Sequence, residues 1–456
     1  MQDPTSVQIL KTLIEEFQNR ISLFDPGVFR THDFLQIPGK IMVAVGMRRT
    51  GKTHFLLQVI KRLLEKKVDI KQILYINFED DRLYPLSQEK LRQLLDNFYS
   101  LYPENHQREC YLFLDEIQYA ENWPLVVRRF FETKQVKIFL SGSSSKLLSK
   151  EIATSLRGRS FAIEIWPFSF LEYLQVKKQS LSSLLGVVSL DLLKKYLYKY
   201  LEYGGFPEIV NLEETYSNMR GFDTLGLGYN SGGFYAGSNI VQSGIRRQIL
   251  QDYVSVVTLR DIIERYRLTN PQPLHYMINS LLRNTACSLS VQKIFNDLKS
   301  QGYSIGKDHV HEYLSYIEDT YLINSVSIYS ESIRKVHSNP RKFYSADTGL
   351  AQAYNIGLSN NSGHYFENLI YLDLRRAGHK VKYYLTENRN EVDFISQDKL
   401  GIWHLWQVCW DMNDPATVNR EISALETAQK ELGLVGQLIT PETYLSKFLP
   451  AIYETH

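Results

Sequence analysis

The chain of 456 residues is poor in cysteine: Cys110, Cys287 and Cys409 lie far apart, and no C-x-x-C pair occurs. That usage excludes a disulfide framework or a cysteine-based zinc site built within the chain, and it suits a reducing cytoplasm. No apolar run reaches about 18 residues, so no membrane-spanning helix is expected. The opening Met1-Gln2-Asp3-Pro4-Thr5 has neither a basic stretch nor an apolar one after it, so no secretory leader is expected. Charge of one sign is also scarce. The 52 Lys+Arg against 50 Asp+Glu leave a net +2, too mild to argue for nucleic acid by itself, so any basic surface must be local. What remains is 44% hydrophobic and 22% charged, ordinary for a globular chain of this length with roughly two to four domains. The 30 Tyr and 22 Phe suit core packing and base stacking alike.

Gly46-Met47-Arg48-Arg49-Thr50-Gly51-Lys52-Thr53 fits the phosphate-binding loop G-x-x-x-x-G-K-[ST]. The apolar run Ile41–Val45 before it reads as a buried strand, and the periodic stretch from His54 to Leu64 after it reads as a helix. Between strand and helix, backbone N–H groups and the helix N-terminus favour a polyphosphate. Gly46 and Gly51 allow the tight turn. Lys52 is expected to reach the β- and γ-phosphates, and the Thr53 hydroxyl to ligate Mg²⁺. Arg48, Arg49, Thr50 and His54 complete the expected nucleotide-contacting set.

Tyr111-Leu112-Phe113-Leu114-Asp115-Glu116 carries an apolar strand into two carboxylates, the Walker B arrangement. Neighbouring residues on a strand face opposite ways, which separates a metal role for Asp115 from a water-activating role for Glu116. Val136–Leu140 reads as the next strand and ends in Ser141-Gly142-Ser143. Either serine is placed to sense the γ-phosphate; Ser143 is carried as the candidate, with Ser141 open. Arg157 and Arg159 in Leu156-Arg157-Gly158-Arg159 are candidates for an arginine supplied to a neighbouring subunit's site.

These segments occur in order with Tyr75-Ile76-Asn77-Phe78-Glu79, Trp166-Pro167-Phe168-Ser169-Phe170 and Gly204-Gly205-Phe206-Pro207-Glu208. Together they resemble the prokaryotic AAA-type ATPases that carry a C-terminal domain of uncharacterised function, the AAA_14/DUF4143 architecture. The resemblance covers nearly the whole chain. It implies an AAA+ nucleotide fold, a helical lid and a C-terminal DNA-associated module.

The expected fold class is therefore α/β: a P-loop AAA+ core over 1–165, a helical lid over 166–270, a winged helix over 271–349 and a degenerate restriction-endonuclease-like α/β domain over 350–456. Within the lid, residues 217–244 hold seven glycines and almost no charge after Arg220, and read as an inserted loop or loose hairpin. The turn at Gly204-Gly205 is expected near the nucleotide. In the winged helix, a helix over 306–320 presents Lys307, His309 and His311 to a major groove, and Ser332–Lys342 is expected as a basic wing, with Arg334, Lys335, Arg341 and Lys342 on phosphates. In the last module Glu367, Asp393 and Gln407 resemble a nuclease metal site of the form acid, Asp, then (Glu/Gln)-x-Lys. Cys409 stands at the lysine position, and a thiol cannot supply the positive charge there.

The function expected is ATP- and Mg²⁺-dependent hydrolysis coupled to DNA, with a ring of identical subunits translocating on or remodelling DNA, branched DNA included. A nucleotide-gated switch with slow turnover, controlling DNA or protein binding, is the alternative. An ATP-licensed nuclease is the second.

Overall fold

The computed structural model describes residues 4–30, 37–143, 156, 158–179, 187–212, 233–355 and 361–454. The chain divides into two compact units, Met1–Trp166 and Pro167–His456.

In the first unit α1 (Pro4–Ser22) precedes β1 (Ile41–Val45), α2 (Lys52–Glu65), β2 (Ile73–Asn77), α3 (Gln88–Leu101), β3 (Cys110–Asp115), α4 (Trp123–Thr133), β4 (Val136–Gly142) and β5 (Ser160–Glu164). All five strands are parallel, in the order β2-β3-β4-β1-β5. β1 and β3 are buried along their whole length, as a sheet covered on both faces requires. The apolar stripe of α1 packs on one face: Phe17 stacks on Tyr75 with ring centroids 5.2 Å apart, in a cluster with Ile21, Phe55, Leu56 and Ile60 of the flanking helices. α3 starts at Ser87, whose hydroxyl accepts from the Lys90 N–H at 3.2 Å. Because the strands run parallel, their C-terminal ends meet at one edge, and the ends of β1, β3 and β4 are neighbours there.

The second unit opens with α5 (Phe170–Val176) and α6 (Val187–Tyr203). The Ser169 hydroxyl and the Glu172 carboxylate cap the start of α5 reciprocally. α7 (Gly233–Val256) follows, continued by a π-helical stretch from Val257 to Glu264. The glycine-rich segment is therefore helical from Gly233 onward, where a loop or hairpin was expected; residues 213–232 lie outside the described residues. Burial of Leu250, Tyr253 and Val254, and the Arg246 guanidinium 4.1 Å from the Tyr203 ring centre, anchor its C-terminal half. Each glycine costs about 1 kcal/mol against alanine in a helix interior, but helices in proteins are held mainly by tertiary packing, so glycine content alone misjudges this one.

Next come α8 (Gln272–Arg283), β6 (Cys287–Leu289), α9 (Val291–Ser300), α10 (Lys307–Asp319), β7 (Ile323–Val326), the short α11 (Ile333–Ser338) and β8 (Arg341–Ser345). The three strands form an antiparallel sheet, β6-β8-β7. α12 (Thr348–Tyr354) and α13 (Ser362–Arg376) lead to β9 (Lys380–Leu385), β10 (Glu391–Gln397), β11 (Trp403–Val408), α14 (Pro415–Leu432) and β12 (Gly436–Ile439). These strands form a second sheet, β12-β11-β10-β9, parallel only between β11 and β12. The Gly204-Gly205 turn belongs to this unit. The Gly205 N–H donates to the Asp347 carboxylate at 2.7 Å, and the Gly349 N–H donates to the same group at 2.9 Å.

Candidate active site

The loop after β1 closes on itself. The Thr50 hydroxyl donates to the Met47 carbonyl at 2.9 Å, and Lys52 Nζ donates to the carbonyls of Gly46 and Met47 at 3.1 and 3.0 Å. Gly51 sits at φ 94°, a left-handed conformation that glycine adopts without strain, and caps the start of α2. A Cβ on Gly46 would overlap the Ile165 carbonyl oxygen, so the loop can pass β5 only with glycine there. Arg48 turns to Glu79 at 2.6 Å and to the Tyr119 hydroxyl at 2.5 Å. Arg49 is exposed, and the exposed His54 meets the Pro26 carbonyl at 3.0 Å.

Asp115 and Glu116 arrive at the end of β3 beside this loop. Asp115 is fully buried, and its Oδ2 accepts from the Thr53 hydroxyl at 2.7 Å and the Tyr75 hydroxyl at 2.9 Å. Its Oδ1 accepts from the Ser141 hydroxyl, which in turn accepts from the Glu116 N–H at 3.0 Å. Of the two serines, Ser141 is thus the one on the carboxylate pair. Ser143, also buried, meets the Gln118 side chain at 3.4 Å. The reason is register: Leu114 pairs with Leu140, so the next residues, Asp115 and Ser141, lie side by side. Glu116 takes the left-handed φ of 54°, uncommon outside glycine, and its carboxylate lies 3.5 Å from Lys52 Nζ with both side chains under a tenth exposed. Gln118 donates to the other Glu116 oxygen at 2.5 Å.

The two neighbouring carboxyls are pushed apart electrostatically. Burial and the charge of Glu116 raise Asp115 above the usual carboxylate range, against hydrogen bonds from Ser141, Thr53 and Tyr75. Burial also acts to raise Glu116, but the Lys52 ammonium, Gln118 and Arg48 outweigh it and hold Glu116 low, hence ionised. A hydroxyl and a carboxylate 2.7 Å apart, Thr53 and Asp115, are the oxygen donors that suit Mg²⁺, which takes few protein ligands and keeps water and phosphate oxygens for the rest. A cation there would also favour the ionised Asp115.

Sequence reasoning assigned no role to Tyr75, Gln118 or Arg30, though Tyr75 and Gln118 stand within the ordered segments that carry the family resemblance. Arg30 donates to the carbonyls of Thr50 and Trp166, the latter at 2.7 Å, and so ties the loop to the end of the unit. No local pattern signals the contact that each of the three makes. Arg157 lies outside the described residues. Arg159 is ion-paired with Glu132 and about two-fifths exposed.

In the second unit Lys307, His309 and His311 are exposed at the start of α10, and Arg334 and Lys335 on α11. Two residues of the expected basic wing are placed otherwise. Ser332–Lys342 is a short helix leading into β8, on which Arg341 is half-buried and Lys342 is only 2% exposed. Lys342 points inward because strand residues alternate faces. Its Nζ meets Glu367 at 2.8 Å, Asp393 at 3.0 Å and Glu391 at 2.7 Å. Glu367, Asp393 and Gln407 do come together, with Gln407 Nε2 donating to Asp393 Oδ2 at 3.0 Å. Positive charge in this cluster comes from Lys342, whereas Cys409 is buried with its thiol on the Asp411 carbonyl.

Residues 38–174 match the model of an AAA domain family, AAA_14, and residues 232–362 that of a domain of unknown function, DUF8612. The C-terminal match thus differs in name from the DUF4143 domain that the sequence resemblance implied. An uncharacterized protein of Methanocaldococcus jannaschii is 34% identical over 403 residues, covering 87% of this chain and 80% of its own. One of Haemophilus influenzae is 26% identical over 411 residues, covering 90% of each. Among solved structures, the Walker-type ATPase of Pyrococcus abyssi shares 14% identity at a TM-score of 0.44, over 74% of this chain and 99% of its own. The phosphate loop, the strand-borne carboxylate pair and the parallel sheet define the class: an AAA-type P-loop ATPase, an ATP hydrolase. Within that class the chain belongs to the AAA_14 family of prokaryotic ATPases. Among the described residues no helix is long and apolar enough to cross a membrane.

Proposed function

We propose that hydrolysis depends on Mg²⁺ and runs on four groups in separate roles. Lys52 neutralises charge on the β- and γ-phosphates. Thr53 and Asp115 hold the cation, which would draw charge from the phosphate oxygens. Glu116, low in pKa and held by Lys52 and Gln118, orients the attacking water and takes its proton. Ser141 fixes both carboxylates, Asp115 through its side chain and Glu116 through its backbone. The observation that carries this reading is the meeting of all four groups at one sheet edge, with Thr53 on Asp115 and Lys52 beside Glu116. Arg157 or Arg159 supplies charge to a neighbouring subunit; for Arg159 this requires release from Glu132.

Turnover is coupled to DNA, and the working form is a ring that translocates on or remodels it. Support for the DNA coupling is the run helix, strand, helix, helix, strand, short helix, strand from α8 to β8, with its antiparallel sheet, which follows winged-helix order apart from the added α11. Lys307, His309 and His311 then lie exposed on the helix that would enter a groove, and Arg334 and Lys335 on the segment between the last two strands.

The test is steady-state ATP hydrolysis without DNA and with single strand, duplex and four-way junction, using Lys52→Ala and Glu116→Gln as controls. Strong stimulation by one DNA form, absent in both variants, is expected. Slow hydrolysis indifferent to every DNA would instead assign a nucleotide-gated switch.

A further inference from the structure

Lys342 carries an inference independent of the ATPase reading. It sits on β8 of the three-stranded sheet, yet its ammonium lies among carboxylates of α13 and β10, at 2.8 Å from Glu367 Oε1, 3.0 Å from Asp393 Oδ1 and 2.7 Å from Glu391 Oε1. The ammonium donates hydrogen bonds to Glu367 and Asp393, and Glu391 adds a third carboxylate as an ion pair.

The rest of the cluster is equally committed. The Tyr344 hydroxyl donates to the same Glu367 oxygen at 2.7 Å. Asp393 Oδ2 accepts from Gln407 Nε2 and from the Val408 N–H, both at 3.0 Å. Gln407 Oε1, the atom that would face a metal in a nuclease site, accepts instead from the Asp393 N–H at 3.3 Å, and its amide also reaches Glu421. Beside it a second clasp joins β8 to α13: the Asn368 amide accepts from the Ser345 N–H at 2.8 Å and donates to the Ser345 carbonyl at 3.1 Å. Burial disfavours a charged Lys342, but Glu367, Tyr344 and Asp393 outweigh it and raise the lysine well above its ordinary value, so it stays an ammonium.

We propose that the Lys342 ammonium is the resident cation of this carboxylate centre, standing between Glu367 and Asp393 where a nuclease would hold a divalent ion. The centre then fastens the three-stranded sheet to α13 and β10 and cleaves no phosphodiester. This explains how Cys409 can stand at the lysine position of the motif: the charge has come from another strand.

The test uses the nucleotide-free full chain as wild type, Lys342→Met and Asp393→Asn. Mn²⁺ binding is counted by electron paramagnetic resonance, thermal unfolding is followed in EDTA and in millimolar Mn²⁺, and nicking of supercoiled plasmid is assayed with Mg²⁺ and Mn²⁺. Wild type and Asp393→Asn are expected to bind the same number of Mn²⁺ ions and to leave the plasmid intact. Lys342→Met is expected to unfold several degrees lower in EDTA and to recover with Mn²⁺, the ion taking the ammonium's place. One Mn²⁺ more on wild type than on Asp393→Asn would overturn the proposal. So would metal-dependent nicking lost in both variants, which would make Lys342 a catalytic lysine of a working nuclease. The wild-type comparison with Asp393→Asn decides the matter even if Lys342→Met does not fold.

Discussion

Replacing Glu116 by glutamine removes one charge and almost no volume at the centre of the proposed mechanism. Glu116 and Lys52 lie 3.5 Å apart and are both buried. At an effective dielectric constant of about 20, their attraction is roughly 5 kcal/mol before the cost of taking them out of water. A nucleotide phosphate must share Lys52 with Glu116, so the variant leaves the lysine to the phosphate alone. ATP affinity is therefore expected to hold or to rise. A glutamine cannot take the proton of the attacking water, and loss of a general base costs about a hundredfold to ten-thousandfold in rate, or about 3 to 5 kcal/mol of barrier. The assay pairs equilibrium binding of a fluorescent ATP analogue with phosphate release under single-turnover conditions. Tight binding with turnover lowered at least about a hundredfold supports the assignment. Turnover within tenfold of wild type would refute it. Loss of binding and turnover together would instead make Glu116, with its left-handed φ of 54°, a structural anchor of the strand end.

Ser141→Ala should lower turnover about tenfold and destabilise the first unit by roughly 1 to 3 kcal/mol, because it strips a buried hydrogen bond from Asp115 and another from the Glu116 N–H; Ser143→Ala should do far less. Phosphate release and chemical denaturation of the two variants side by side check this. Gly46→Ala should abolish the ATP-induced rise in melting temperature, since its Cβ meets the Ile165 carbonyl and the loop must shift. Asp347 is pushed up to about 6 by burial, against hydrogen bonds from Gly205 and Gly349. Above its unfolded value the unfolded chain releases this proton while the folded chain keeps it, so stability falls by roughly 3 kcal/mol between about pH 4 and 6. Denaturation across that window should show the slope in wild type and lose it in Asp347→Asn. Arg376→Met should cost about 3 to 5 kcal/mol in the stability of the second unit, because it leaves the fully buried Asp373, 2.9 Å from the guanidinium, with the Tyr444 and Tyr453 hydroxyls but no countercharge.

What the sequence showed plainly was local. The phosphate loop and the run into Asp115-Glu116 are contiguous, so strand, loop and helix could be named from their own residues. The choice between Ser141 and Ser143 was not local, because Ser141 lies on β4 and Ser143 just past its end, and only the pairing with β3 sets which one reaches Asp115. Tyr75 reaches Asp115 from β2, 40 residues away in the chain, with no spacing rule to announce it. Lys342 misled for the same reason. Among Arg334, Lys335 and Arg341 it reads as part of a basic surface, and only the alternation of β8 turns it inward onto Glu367 and Asp393, 25 and 51 residues ahead. The helix from Gly233 shows the opposite error, in which composition outweighed tertiary anchoring at Leu250, Tyr253 and Val254.

The central claim is that one buried lysine at the start of α2, Lys52, makes this chain a nucleotide hydrolase. Its most direct test is Mg²⁺-dependent ATP hydrolysis by Lys52→Ala, with circular dichroism to show an intact fold. The account predicts a folded protein whose turnover falls by at least about a hundredfold and whose ATP binding is lost with it. A folded Lys52→Ala protein that binds and hydrolyses ATP as wild type does would contradict it.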